Sequence, residues 1–289
     1  MFRILLTGAN SYIGTSVENY LAQWPDEYHV DTVDMIDGSW RKMSFNSYDS
    51  IFHVAGIAHQ DSGRITDERK KLYYKVNTDL TIETAKKAKA EGVKQFIFMS
   101  SIIVYGASSK IGEKKIITKN TKPTPEGAYG DSKLQAERGI QQLNDDCFKV
   151  CILRPPMIYG PGCKGNYVLL EKAARKLPFF PDIKNERSML YVGNLCRYIK
   201  CIIDHSFSGI LFPQDPEFVC TSNMVKQIAQ THGRHIRLTK LFNPIIFALS
   251  GKLKVFQKIF GNLVYEKSSD VKMDCCNVHN PSQLTETEQ

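Results

Sequence analysis

Ser101, Tyr129 and Lys133 carry the side chains best suited to chemistry in this chain. Tyr129 and Lys133 stand four apart in Y-G-D-S-K, and the L-Q-A-E-R that follows keeps helical spacing, so both project from one helical face. Ser101 closes an apolar run, Phe96 to Met99, that reads as a buried strand. A phenol titrates near ~10 and is a poor base at neutral pH. A lysine ammonium one turn away favours the phenolate, as would the positive ring of an oxidised nicotinamide. A serine hydroxyl can hold the same substrate oxygen and relay its proton. This is equipment for taking a proton from an alcohol while hydride leaves its carbon. Y-x-x-x-K arises on many helices by chance, so the weight falls on the elements upstream.

Those elements begin at once. Residues 2–7 read as a strand that runs into G-A-N-S-Y-I-G and then into a helix carried by Val17, Tyr20 and Leu21. Strand, glycine turn and helix together are the context of a dinucleotide fingerprint. Gly8 permits the tight turn, Gly14 lets helix and strand pack closely, and the helix N-terminus offers free N–H groups to a pyrophosphate. Ser11 stands where the usual pattern has its middle glycine, and its hydroxyl can donate a hydrogen bond. Val30–Asp34 reads as a second strand ending in an acid, which would accept hydrogen bonds from a ribose diol and favour NAD over NADP. Only sixteen residues separate Asp34 from Ile51. Either a strand is missing from the sheet, or Val30–Asp34 takes the third strand's place and Asp34 or Asp37 faces the adenine. Arg41 and Lys42 could also read a 2′-phosphate.

Farther on, Ser50–Ala55 reads as a strand followed by the small residues of G-I-A-H, against which a cofactor can lie. Asn77 opens a long helix, Thr78–Ala90, and Gly92 ends it. After the Tyr129–Lys133 helix, Val150–Arg154 forms another buried strand. It meets R-P-P-M-I-Y-G-P-G, where prolines and glycines break regular structure and the chain leaves the sheet. Residues 189–195 read as a further strand, 223–232 as a short amphipathic helix, and 241–263 as another with lysines at 252, 254 and 258. The last is a stripe for a core or a partner, although a basic amphipathic helix can also lie on a bilayer. The alternation predicts an α/β fold: a Rossmann-type doubly wound parallel sheet with a smaller C-terminal substrate-binding lobe. The dinucleotide-binding domain spans 1–158 plus about 189–205; the lobe takes 159–188 and 206–265, and a polar tail 266–289.

The net charge of +8 is spread without basic runs, which points to a surface favourable to anionic small molecules and away from nucleic acid. Eight cysteines lack C-x-x-C pairs, and those in apolar patterns (Cys151, Cys196, Cys201) read as buried free thiols. His53 and His59 have no third ligand nearby, so no metal site is expected. No apolar run approaches the ~20 residues of a membrane span, and no charged-then-apolar leader precedes the first strand. The expectation is a cytoplasmic protein.

Taken together, T-G-A-N-S-Y-I-G, H-V-A-G-I-A, Asn77, S-S-I-I-V-Y-G, Y-G-D-S-K, L-R-P-P-M-I-Y-G-P-G and R-S-M-L-Y-V-G-N-L resemble, in order and spacing, the extended short-chain dehydrogenase/reductases. The chain is similar to their NAD-dependent nucleotide-sugar epimerase/dehydratase branch over roughly residues 3–210. The resemblance implies Ser101, Tyr129 and Lys133 as the catalytic set. It implies NAD, with NADP as a possibility, held by Gly8, Asn10, Ser11, Tyr12, Ile13, Gly14, Asp34, Ala55, Gly56, Asn77 and Pro156 together with Tyr129 and Lys133. Asn166 and Arg187, beside Ser101, would hold a nucleotide sugar. Relatives pair through the helices at 78–90 and 129–143, so a homodimer is expected. Dehydratases resembling this chain place an Asp-Glu pair just after the catalytic hydroxyl, and other relatives a Glu or Cys acid/base there. Here the positions are Ile102 and Ile103, which leaves hydride chemistry alone: a 4-epimerase, or alternatively an NAD(P)H-dependent reductase of a UDP-4-keto-6-deoxy sugar. A non-catalytic dinucleotide sensor is the distant third reading.

Overall fold

A computed structural model describes residues 1–57, 65–163 and 165–267. The strands in chain order are β1 (Phe2–Thr7), β2 (Tyr28–Val33), β3 (Ser50–His53), β4 (Gln95–Met99), β5 (Ile116–Ile117) and β6 (Lys149–Leu153). There follow β7 (Met157–Tyr159), β8 (Phe179–Pro181), β9 (Met189–Tyr191), β10 (Gly209–Leu211), β11 (Arg237–Thr239) and β12 (Val264–Tyr265). The helices begin with α1 (Tyr12–Leu21), α2 (Asp67–Tyr73), α3 (Leu80–Ala90) and α4 (Ala128–Gln141). They continue with α5 (Asn166–Lys176), α6 (Val192–Asp204), α7 (Thr221–Thr231), α8 (Asn243–Ser250) and α9 (Lys254–Phe260).

The main sheet runs β10-β6-β4-β3-β1-β2, and every pairing in it is parallel. Successive residues of a strand face opposite sides of the sheet, and the side chains divide accordingly. Ile4, Leu6, Phe52, Ile97 and Leu153 pack with Val17 and Leu21 of α1 and with Leu195 and Ile199 of α6. Leu5, Ile51, Phe96, Phe98 and Ile152 pack with Ala85 and Ala88 of α3 and with Ala136 and Ile140 of α4. Both faces are therefore covered, as a doubly wound parallel sheet requires. A third core joins Leu170 and Ala174 of α5 to Val225 and Ala229 of α7, with Phe180, Ile246 and Phe260.

The short segment after Asp34 has a definite outcome. β2 pairs with β1 and is the sheet's edge, so among the described residues no strand lies outside it and Val30–Asp34 does not occupy an outer strand's place. A single 3₁₀ turn, Ser39–Arg41, fills the gap, anchored by buried Trp40 and Phe45. Other expectations also shift. The helix near Asn77 starts a full ten residues earlier, at Asp67, and passes through a turn of π-helix at Tyr74–Asp79 before α3. Residues 189–195 are strand only to Tyr191; Val192, Leu195, Cys196 and Ile199 then repeat at helical spacing in α6. The stretch 241–263 is two helices, α8 and α9, because Gly251 ends the first. Cys147, Cys151, Cys163, Cys196 and Cys220 are free, whereas Cys201 is disulfide-bonded, which corrects the free-thiol reading there. Among the described residues no helix is long and apolar enough to cross a membrane.

Candidate active site

The site lies where β4 ends and α4 begins. Ser101 follows the strand in extended conformation, and its Oγ accepts the Ile103 N–H at 3.3 Å, capping a short 3₁₀ turn over Ile102–Tyr105. The backbone here is tied to the neighbouring strand: Ser100 N–H donates to Leu153 O (2.8 Å) and Ile102 N–H to Pro155 O (2.9 Å). Pro156, buried beside that anchor, is thereby held next to the Ser101 segment. Tyr129 occupies the first turn of α4, and its phenol is hydrogen-bonded to the Ser101 hydroxyl. Burial pushes the phenol up to about 12; the Ser101 bond draws it down, and nearby Tyr73 adds to the rise. Lys133, one turn on, is buried, with Nζ donating to Met99 O at 2.8 Å and lying 4.6 Å from the centre of the Phe98 ring. Desolvation lowers its ammonium to about 8, while the Glu137 carboxylate works against that fall.

These directions correct a simple expectation. Burial acts on both groups more strongly than either acts on the other, so at neutral pH Tyr129 rests as a phenol, while Lys133 keeps its charge but gives up its proton more readily than an ordinary lysine. A further positive charge placed beside the phenol would draw it back toward its ordinary range.

Beneath this pair lies a buried network that the sequence reading does not contain. Arg154 donates from Nε to Glu137 Oε1 (3.1 Å) and from Nη2 to Oε2 (2.5 Å), and from Nη1 to the Tyr105 hydroxyl (2.5 Å). Ser100 Oγ donates to the same carboxylate, and Tyr265 OH closes over the Arg154 carbonyl at 2.7 Å. A signal is present all the same: Glu137 is four residues past Lys133, and Arg154 ends a strand that is otherwise apolar. A charge inside an apolar pattern points to burial beside some partner, without naming it.

The glycine turn opens the cleft. Gly8 has φ +87°, and a Cβ there would come within 2.9 Å of the Ala55 backbone, so only glycine lets β1 and β3 meet at this point. Asn10 also takes positive φ, 62°. Ser11 is the N-cap of α1, its Oγ accepting Gly14 N–H at 3.1 Å, which leaves its own hydrogen to donate. Ile13 packs toward the core, and the Tyr12 hydroxyl is buried with no hydrogen-bond partner among the described residues. Asn77, fully buried in the π-turn, pins the loop after β3: Ile57 N–H donates to its Oδ1 (2.8 Å), and its Nδ2 reaches Ile57 O and Ser132 Oγ (each 3.2 Å). It shapes the cleft and does not line it. A π-turn at such a place fits their frequency at functional sites. His53 sits between Thr7 Oγ1 (2.8 Å) and Thr81 Oγ1 (3.1 Å), its imidazole lowered to about 3 by burial and by the Lys133 charge. His59 lies outside the described residues.

The cleft widens into a cavity of about 900 Å³ lined by Gly8, Ser11, Asp34, Asp37, Arg41, Ala55 and Gly56. Asp34 accepts the Ile36 N–H at 2.8 Å, and Asp37 caps Ser39. Arg41 is held by Glu83 in a bidentate pair, 2.5 Å and 2.6 Å. Arg187 stands in the lobe, donating to Lys258 O (2.8 Å), Gly261 O (3.3 Å) and Ser108 Oγ (3.3 Å), and burial lowers it to about 10. Its partners are carbonyls and a hydroxyl, so they leave the positive charge uncompensated. Asn166 opens α5; its side chain lies outside what is described.

A family model described as the NAD dependent epimerase/dehydratase family matches residues 4–211. The chain belongs to this family. It is 31% identical over 251 residues to a UDP-glucose 4-epimerase from Vibrio cholerae, covering 78% of this chain and 74% of that one. It is 27% identical over 291 residues to an N-acetyl-alpha-D-glucosaminyl-diphospho-ditrans,octacis-undecaprenol 4-epimerase from Escherichia coli O157:H7, covering 94% and 85%. A crystal structure of a dTDP-4-dehydrorhamnose reductase from Clostridium acetobutylicum superposes with a TM-score of 0.74 at 17% identity, covering 99% and 98%, a likeness of fold.

As an epimerase/dehydratase family enzyme the chain uses NAD, with NADP as the variant, and its residues fit that group. The close approach of Gly8 to Ala55 leaves a cradle that a Cβ would fill, the α1 N-terminus faces it, and an acid follows β2. Arg41 also lines the cavity and is paired there with the exposed Glu83 carboxylate.

Proposed function

We propose that the chain is a nucleotide-sugar 4-epimerase, acting on a UDP-hexose or UDP-N-acetylhexosamine through a transient 4-keto sugar. The observation that carries this reading is the Tyr129–Ser101 hydrogen bond above Ile102 and Ile103. One phenol and one hydroxyl converge, and the positions after Ser101 hold no group that could exchange a second proton. Bound NAD would supply a hydride acceptor that returns the same hydride, and a positive ring that favours the phenolate. Tyr129 then takes the proton of the sugar's 4-hydroxyl and later gives it back. Ser101 holds that oxygen, and Lys133, buried against Met99 O beside Gly56, supports the phenolate and the cofactor's ribose. Asp34 accepts from the adenosine ribose diol. Arg187, with its uncompensated charge, pairs with the sugar's diphosphate; the lobe of 159–188 and 206–265 closes over the sugar, with Asn166 beside it. The enzyme is cytoplasmic and pairs through α3 and α4, which flank the site.

One feature favours a second reading of the substrate's carrier. The carbonyls that Arg187 contacts belong to the end of α9, next to a surface rich in exposed apolar side chains. A diphosphate at Arg187 could therefore carry a lipid in place of a nucleoside, as the name of the Escherichia coli relative describes for that protein.

The test is turnover of UDP-glucose and UDP-N-acetylglucosamine to their 4-epimers, with analysis of the dinucleotide released on denaturation. Tightly held NAD and epimer formation are expected. Tyr129→Phe, which keeps the ring, should lower the rate ~10²–10⁴-fold with folding intact. A phenylalanine variant with near-native activity ends this mechanism. Conversion of a UDP-4-keto-6-deoxy sugar with consumption of NADPH would move the enzyme to the reductases.

A further inference from the structure

The surface over α8 and α9 differs from every other described part of the molecule. Leu241, Phe242, Ile245, Phe247, Leu249, Leu253 and Val255 are all exposed large apolar residues, Leu241 at 76% and Ile245 at 60%. They fall within fifteen consecutive residues, and Ile246 alone in α8 turns into the core. Natural surfaces seldom gather so many apolar side chains unless something covers them. Along the chain the charge is one-sided, and a carboxylate brought to this stretch from outside by a hydrogen-bonded contact is that of Asp182, whose backbone meets Thr239 and Asn243. From residue 218 to residue 265 the chain holds Lys226, Arg234, Arg237, Lys240, Lys252, Lys254 and Lys258 and not one Asp or Glu. Lys240, Lys252, Lys254 and Lys258 are exposed.

We propose that this face docks on an anionic bilayer, its apolar side chains entering the headgroup boundary and its lysines meeting lipid phosphates. Apolar residues on one side with lysines around them, on a pair of short helices, is the pattern of a protein that lies on a membrane without crossing it. A second copy of the chain is the weaker occupant. A two-fold interface sets the same patch against itself and would bring two sets of like-charged lysines together, which repels. A surface of anionic lipid offers them opposite charge. The consequence reaches the site: α9 runs from exposed Val255 to the Lys258 carbonyl that Arg187 grips, one helical turn away. Docking would place the Arg187 subsite at the headgroup level. The proposal stands whichever sugar or carrier the enzyme accepts.

The experiment is sedimentation of the full chain with phosphatidylcholine vesicles, with and without phosphatidylglycerol, at low and high salt. The protein should sediment with the anionic vesicles, be released by salt, and ignore the neutral ones. Each lysine near such a surface multiplies binding by roughly fivefold, so Lys252→Glu with Lys254→Glu should weaken it at least about twentyfold. Ile245→Ser with Leu253→Ser should weaken it by about tenfold at unchanged Tm, since both residues are exposed. Failure to sediment with anionic vesicles overturns the proposal, and so do variants that bind like the native chain. So does a native dimer, seen by light scattering, that Ile245→Asp converts to monomer; the face would then belong to a second copy. No turnover is measured, so failure here leaves the epimerase reading intact, and loss of that reading leaves the vesicle result standing.

Discussion

Arg154–Glu137 and Arg41–Glu83 are the same interaction in two settings, each a guanidinium fork on a carboxylate at the edge of the cleft. In the first, beneath Tyr129, the two side chains are 6% and 1% exposed; in the second, beside Asp37 at the far end of the cavity, they are 50% and 45% exposed. Geometry does not separate them, since both make bonds near 2.5 Å. Solvent does. A buried pair whose partner is removed leaves a bare charge in a medium that cannot solvate it, whereas water and salt take over at once from a broken surface pair. The cleft therefore has a buried, charge-coupled end at Tyr129 and a solvated, tolerant end at Asp34 and Arg41.

The sharpest way to break this comparison is to cut both pairs in the same manner. Glu137→Gln keeps the shape of the side chain but leaves Arg154 unneutralised and puts an NH2 donor where one of the two acceptor oxygens stood, so Ser100 and Arg154 compete for the one that remains. It should cost about 3–5 kcal/mol of unfolding free energy in urea. It should also lower the Lys133 ammonium further, because Glu137 is the group that opposes its desolvation. If Glu137→Gln cost no more than the matching change at Glu83, burial would not be what distinguishes the two ends.

The next effect is read with acid. His53 is at the buried end, next to Lys133, and its imidazole is lowered from the ordinary 6.5 to about 3. Between those values the unfolded chain takes up a proton that the folded chain refuses. Stability from this group is therefore complete above pH 6.5 and falls by roughly 1.4 kcal/mol per pH unit as the pH drops toward 3. Lys133 acts in another window, from about 8 to 10.5, where stability rises with pH as the buried ammonium is relieved. From pH 6.5 to pH 5 the native chain should lose about 2 kcal/mol through His53. His53→Gln should flatten that slope, and equal slopes in the two proteins would show that the histidine is not held neutral.

The two ends also differ in how far the amino-acid sequence alone reveals them. β1 and β4 are legible because an uninterrupted apolar run bounded by turn residues admits few alternatives. Ser101, Tyr129 and Lys133 are legible because helical spacing brings 129 and 133 together and the strand places 101 beside them. What stays hidden depends on contacts distant in sequence. Glu137 and Arg154 are seventeen residues apart, and nothing local shows that they meet. Asn77 reads as a helix start, yet its side chain is used up by Ile57 and Ser132. α2 escapes notice because D-E-R-K-K-L-Y has little apolar periodicity, its helix resting on an N-cap from Thr66. Gly251 divides α8 from α9, and a continuous apolar stripe conceals that break.

The smallest effect belongs to the exposed end, where specificity can change while stability does not. Asp34 follows β2 and lines the cavity; its carboxylate accepts one backbone N–H and keeps further lone pairs for a ribose diol. Asp34→Ala should remove that acceptor and the repulsion of a 2′-phosphate, so the preference for NAD over NADP should narrow. Glu83→Gln should add to the shift by releasing Arg41, whose guanidinium also lines the cavity and could then meet the phosphate. Neither change should cost more than about 1 kcal/mol of stability, since both carboxylates are solvated. Dinucleotide dissociation constants for the native chain, each single variant and the double variant, measured at one ionic strength, decide the matter. An unchanged NAD/NADP ratio in the double variant would mean that neither Asp34 nor Arg41 faces the ribose. A large loss of stability would mean that the Asp34 end is built on the same buried-charge principle as the Tyr129 end, and the contrast between the two pairs would collapse.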